Sequence, residues 1–287
     1  MKVIKAIWTM SWKIVVFLVL WGALYAPFLL PVATRLERAE FVSSPLVRLY
    51  FEITGAVTIS FAAWVMTRFI DKRTFVSLGF MPRHVLRDVV VGLGIGLWMM
   101  AVSVALLWYF GWAVPQGILG FSWFALFLAG VAMLANTVTQ EVLVRGYVQQ
   151  SIQSQFGAPW AVVLSALVFT LLHIGAIKDG ILPTVNLFAA GILLGISYSV
   201  TKNLWLPITL HFGWNFLQGP VLGLTVSGQS VDSGWRVFRL EGPPIFTGGT
   251  FGLEGGLVAT VTTVLGIVAL LLLCLPKVNV ISPCEFK

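Results

Sequence analysis

Glu141 and Arg145 are the only charged residues between Asp88 and Lys178. They stand in Gln140-Glu141-Val142-Leu143-Val144-Arg145, and on a helix a spacing of four stacks carboxylate over guanidinium so that the two charges partly neutralise each other. A structural ion pair tying two helices together is one reading of them. Two further polar blocks favour a second reading. Phe169-Thr170-Leu171-Leu172-His173 ends one apolar run in an imidazole, and His211-Phe212-Gly213-Trp214-Asn215 sets an imidazole and an amide one turn apart in another. Of the three histidines, only His84, beside Pro82 and Arg83, sits in a basic loop, where it reads as solvated.

A carboxylate and an imidazole together can take a proton from water, and burial raises the basicity of the carboxylate. A second histidine and an asparagine are donors suited to a developing oxyanion. The set Glu141, His173, His211 and Asn215 therefore describes water attacking a carbonyl, the chemistry of peptide-bond hydrolysis. His173, His211 and Glu141 could instead hold zinc as two imidazoles and a carboxylate. However, a His-Glu-x-x-His helix is absent, and Cys274 and Cys284 lie far along the chain. No serine occupies a nucleophile elbow. Water is the favoured nucleophile and no cofactor is expected, with zinc the one alternative.

The elements that must position these groups are membrane helices. The chain has 287 residues, 58% hydrophobic and 10% charged, with a mean hydropathy of +0.94. Soluble domains carry about 25% charged residues, and so apolar a chain of this length cannot bury itself in water. That excludes an ordinary soluble enzyme, a disordered chain and a disulfide scaffold. The expected fold is an all-α polytopic membrane protein with about eight transmembrane helices around a recessed polar cavity. The apolar runs lie at roughly 14–31, 53–70, 89–110, 122–138, 159–174, 183–200, 204–222 and 255–275. They divide the chain into N-terminal membrane helices over 1–121, a core over 122–222 with all three blocks, and 223–287 with an extracytoplasmic loop, the last helix and a short tail.

The net charge of +7 gathers between apolar runs, which points to the anionic cytoplasmic leaflet of the bilayer and not to nucleic acid. Lys72, Arg73, Arg83, Arg87 and Lys202 fall on one side, and the bias places both termini in the cytoplasm. Gly92, Gly94 and Gly96 in one run, and Gly191 and Gly195 in another, read as close helix packing.

The three blocks, Gln140-Glu141-xxx-Arg145, Phe169-xxx-His173 and His211-xxx-Asn215, resemble in order the Glu-Glu-xxx-Arg, Phe-xxx-His and His-xxx-Asn blocks of the CAAX prenyl endopeptidase family. The family is also called the Abi, or CAAX protease and bacteriocin-processing, family. Arg145-Gly146-Tyr147 and Ser77-Leu78-Gly79-Phe80 are similar to its bacterial branch. The resemblance implies eight helices around a conical cavity, with catalytic groups recessed below the cytoplasmic face of a prokaryotic plasma membrane. It implies an intramembrane endopeptidase acting on a membrane-embedded or lipidated substrate, which in the eukaryotic branch is a prenylated C-terminus. By family roles the first glutamate and His173 activate water, and His211 and Asn215 form the oxyanion hole. Gln140, Arg145 and Phe169 support them.

Gln140 departs from that pattern, because a carboxamide cannot accept a proton. Either Glu141 supplies the carboxylate while Gln140 orients water or substrate, or the chain binds a membrane peptide or partner without cutting it, as a scaffold or immunity-type protein. Adjacent helical residues point about 100° apart, so Glu141 can face Arg145 instead of a cavity. A proton-coupled transporter would use the same groups as a relay, but no pair of broken-helix repeats supports one.

Overall fold

The computed structural model describes residues 2–34, 44–117, 122–230 and 237–278. Cys284 and the rest of the tail after residue 278 lie outside the described residues. Eight long helices follow in order: α1 (Lys2–Ala33), α2 (Pro45–Ile70), α3 (Val85–Tyr109), α4 (Trp123–Phe156), α5 (Ala158–Leu172), α6 (Ile181–Thr201), α7 (Trp205–Phe216) and α8 (Leu257–Val278). By length and composition α1, α2, α3, α4 and α6 can cross a membrane, while α5 and the Leu257–Leu273 part of α8 are shorter apolar stretches. Trp8, Val19, Leu97, Trp123, Phe127 and Leu272 are among many large apolar side chains exposed on the bundle surface. The chain is an all-α polytopic membrane protein, as its composition requires.

Local sequence signals set the helix ends. Ser44 caps α2 by accepting from the Val47 amide, with Pro45 in the first turn, and Ser122 caps α4 through the Ala125 amide. Gly157, at φ 82°, turns α4 into α5. Buried hydroxyls on the helices return to the backbone four residues earlier, as Thr67, Thr137 and Thr170 do, which satisfies them where water is absent.

One boundary differs from the sequence reading. The fourth apolar run was expected to end at Val138, but the helix continues to Phe156 through a π-helical stretch, Val142–Gln149, in which all eight residues are buried. Hydropathy falls after Val138, whereas nothing in the following residues breaks a helix, and their polar side chains turn inward to other helices instead of to lipid.

The glycines govern how close the helices come. A Cβ on Gly92 would fall 2.1 Å from the Thr209 hydroxyl and 2.7 Å from the Leu206 carbonyl, so α3 and α7 touch backbone to side chain there. A Cβ on Gly191 would lie 2.9 Å from Ala166, where α6 meets α5.

The bundle has two distinct ends. At one, Asn203 donates to the Arg83 carbonyl (2.9 Å) and to Asp88 (3.2 Å), and Lys13 pairs with Asp71 at 2.6 Å. At the other, a short ribbon pairs β1 (Ala113–Pro115) antiparallel with β2 (Phe238–Leu240), in the register Val114↔Arg239. A glycine-rich segment then leads into α8. Gly248 and Gly252 both have φ of 89°, and a Cβ on Gly248 would collide with the Gly252 carbonyl.

Gly92→Ala is expected to lower thermal stability in detergent by about 1–3 kcal/mol through overpacking. Gly94→Ala, where a Cβ meets nothing within 4 Å, is expected to leave it unchanged or slightly higher. Equal effects in thermal unfolding would contradict the packing assigned to this glycine run.

Candidate active site

The middle of α4 presents a buried ion pair. Glu141 and Arg145 are both fully buried, and Arg145 Nη1 donates to Glu141 Oε1 at 2.9 Å. The same carboxylate oxygen accepts from His211 Nδ1 on α7, also at 2.9 Å. Arg145 Nη2 donates to the Gly191 carbonyl at 3.0 Å, and its guanidinium lies 4.6 Å from the Phe169 ring centre. One turn on, Gln149 repeats the device by donating to the Gly195 carbonyl at 2.9 Å. The two glycines read as packing residues thus also bring their carbonyls within reach of α4.

These bonds fix the tautomers. Arg145 donates to the same Glu141 oxygen, so His211 meets it with a proton on Nδ1, and in the neutral ring Nε2 is then the acceptor. His173 Nδ1 lies 2.8 Å from the Phe169 carbonyl, which can only accept, so its Nε2 is likewise the basic nitrogen. Phe169 packs against both imidazoles, its ring centre 4.6 Å from His173 and 5.7 Å from His211. The phenylalanine is the wedge that sets the two rings apart and covers the arginine.

His173, His211, Asn215 and Phe169 line one cavity of roughly 580 Å³, open space at its mouth included. Asn215 is buried, and its amide makes no hydrogen bond among the described residues. Two acceptor nitrogens and a free amide therefore share a mainly apolar chamber. That arrangement can remove a proton from water and donate to an oxygen that gains charge.

Glu141 and Gln140 do not line this cavity. Glu141 spends one oxygen on Arg145 and His211, and its Oε2 is buried with no partner among the described residues. Gln140 faces α2: its Nε2 donates to Asn136 at 2.8 Å, and Asn136 donates to Glu52 at 2.9 Å. Of the two placements open to Glu141, the side chain takes the one against Arg145, next to His211. Among the described residues no group of three His, Cys, Asp or Glu side chains is placed to hold a metal ion.

Sequence reasoning missed Glu254. It lies in the glycine-rich segment before α8, within what read as an extracytoplasmic loop, yet its side chain lines the cavity with Ser227 and Trp214. As the only acidic residue among the glycines of 248–256 it was visible, but nothing local tied it to three blocks far upstream.

Residues 121–217, roughly a third of the chain, match the family described as type II CAAX prenyl endopeptidase Rce1-like. All three blocks fall inside that stretch, which supports the family resemblance read from them. No curated protein matches the chain.

Arg145→Met is expected to destabilise the folded protein by about 3–5 kcal/mol, because it strands a buried carboxylate. The double variant Glu141→Gln with Arg145→Met is expected to recover part of that loss. Denaturation of the single and double variants checks this; strict additivity would show that the two side chains do not act as a pair.

Proposed function

We propose that this chain is a CAAX protease-type endopeptidase of a prokaryotic plasma membrane. It cuts a peptide bond in a membrane-anchored or lipidated substrate with activated water. The observation that carries the reading is the meeting of two acceptor imidazole nitrogens and an unbonded amide in one cavity.

In this mechanism His211 Nε2 takes a proton from water as the oxygen attacks the scissile carbonyl. Glu141, itself held by Arg145, keeps the ring in the correct tautomer and stabilises the imidazolium that forms, the part a buried carboxylate plays behind a histidine base. The Asn215 amide donates to the carbonyl oxygen as it becomes an oxyanion. As the C–N bond breaks, the proton held by His211 passes to the leaving amine, with His173 Nε2 as the acceptor that relays it. The base is an imidazole, so a carboxamide at position 140 does not remove it. No metal takes part in these steps.

The rival reading is a binding protein that does not cut. Gln140 supports it, since the family's first carboxylate is replaced and its side chain turns to Asn136 instead of the cavity. The two readings separate in one assay with purified, detergent-solubilised protein and libraries of lipidated and plain peptides. The native chain is expected to cleave, and His211→Ala and Glu141→Gln are each expected to lower kcat/KM by about 10²–10⁴ while the fold persists. Chelators are expected to leave the rate unchanged. Silence in the native chain, with cleavage appearing in Gln140→Glu, would establish the binding reading. Stoichiometric zinc lost together with His173 would overturn the metal-free mechanism.

A further inference from the structure

Glu254 is 8% exposed and is held from two sides. The Trp214 indole Nε1 donates to Oε1 at 3.1 Å, and the Ser227 amide and hydroxyl both donate to Oε2 at 2.7 Å. The backbone beneath it is clamped as well. Asn186 donates to the carbonyls of Glu254 (2.8 Å) and Gly256 (2.9 Å), and Thr260 donates to Asn186 Oδ1 at 2.6 Å. The Trp214 indole and the Ser227 amide can only donate, so each carboxyl oxygen accepts at least one bond.

Those donors are neutral. Among the described residues no Lys, Arg or His lies within ion-pair distance of Glu254, whereas Glu141 has Arg145. Arg145 is committed to Glu141, and the imidazole that senses Glu254 across the chamber is that of His173, itself one of the groups lining the cavity. Its other walls are largely apolar, including Met99, Leu187, Leu194 and Leu210. A desolvated carboxylate of this kind is costly unless a cation joins it. Shape leaves room for a ligand as well, because Glu254, though held by Trp214 and Ser227, is among the residues lining the cavity.

We infer that Glu254 is a cation-recognition group, so that the cavity takes a peptide bearing a Lys or Arg side chain close to the bond presented to His173, His211 and Asn215. That the cation belongs to a peptide rests on the function proposed above; the preference for a cation does not. Histidines and amide at one side of the chamber do chemistry, and the fixed carboxylate at the other sets which side chain enters.

The test reads binding without cleavage. Full-length protein carrying 5-fluorotryptophan gives a ¹⁹F signal for Trp214, assigned with Trp214→Phe, from the indole bonded directly to Glu254. Acetyl-alanyl-lysyl-alaninamide is titrated against the analogue with norleucine in place of lysine, which keeps the chain and removes the charge. The lysine peptide is expected to shift the signal at a concentration at least about tenfold lower, in line with a charge-assisted bond in a dry site. In Glu254→Gln that preference is expected to disappear. Equal titration of the two peptides by the native protein would overturn the inference whether or not the variant folds. So would Glu254→Gln protein that keeps the lysine preference. A preference that stands while neither peptide nor library is cut would sink the proposed hydrolysis and leave the cation site in place.

Discussion

The bond between Glu141 and its two donors is the constraint on which the rest of the site depends. A single buried carboxylate oxygen holds Arg145 on its own helix and His211 on α7. Arg145 answers the charge, and His211 acquires a fixed tautomer. Neither helix can slide without leaving one of these groups unpaired in a region where water cannot repair the loss. The arrangement therefore registers α4 against α7 and, through the Gly191 carbonyl, against α6.

Close packing makes that registration affordable in space. Gly191 and Gly195 have no side chains, so α5 and α6 approach until a Cβ would touch Ala166 or Val162, and their carbonyls come within reach of Arg145 and Gln149. Small residues in membrane helices commonly serve van der Waals contact alone. Here they also expose backbone acceptors to long polar side chains of a neighbouring helix. The π-helical stretch of α4 carries both of those side chains and is buried throughout, consistent with the placement of such stretches at functional sites.

The chamber separates two kinds of carboxylate. Glu141 is charge-paired and withdrawn behind a histidine, whereas Glu254 is bonded only by neutral donors and borders the open space. Burial alone does not distinguish them; the charge of the partners does. Gln140, the departure from the family pattern, takes part in neither arrangement. It joins a polar chain through Asn136 to Glu52 on α2, and Glu52 itself lay just outside the second apolar run that hydropathy outlines.

Composition by itself determined the solvent. A chain so apolar and so poor in charge has to place its surface in lipid, and lipid leaves helices as the elements that satisfy their own backbone in a sequence of long apolar runs. Spacing determined that Glu141 and Arg145 pair, because four residues is one helical turn and both groups lack other charges nearby in the chain. The same logic marked His173, His211 and Asn215, since polar groups in apolar helices are costly to keep without a partner or a role. Tertiary structure decided which way each group faces. The rotation of α4 turned Gln140 toward α2 and Glu141 toward His211, a choice that hydropathy cannot express because both neighbours are polar. It also brought Glu254 from the α7–α8 connection to the histidines. Contacts between positions so far apart arise from helix packing and loop closure, and no local pattern encodes them.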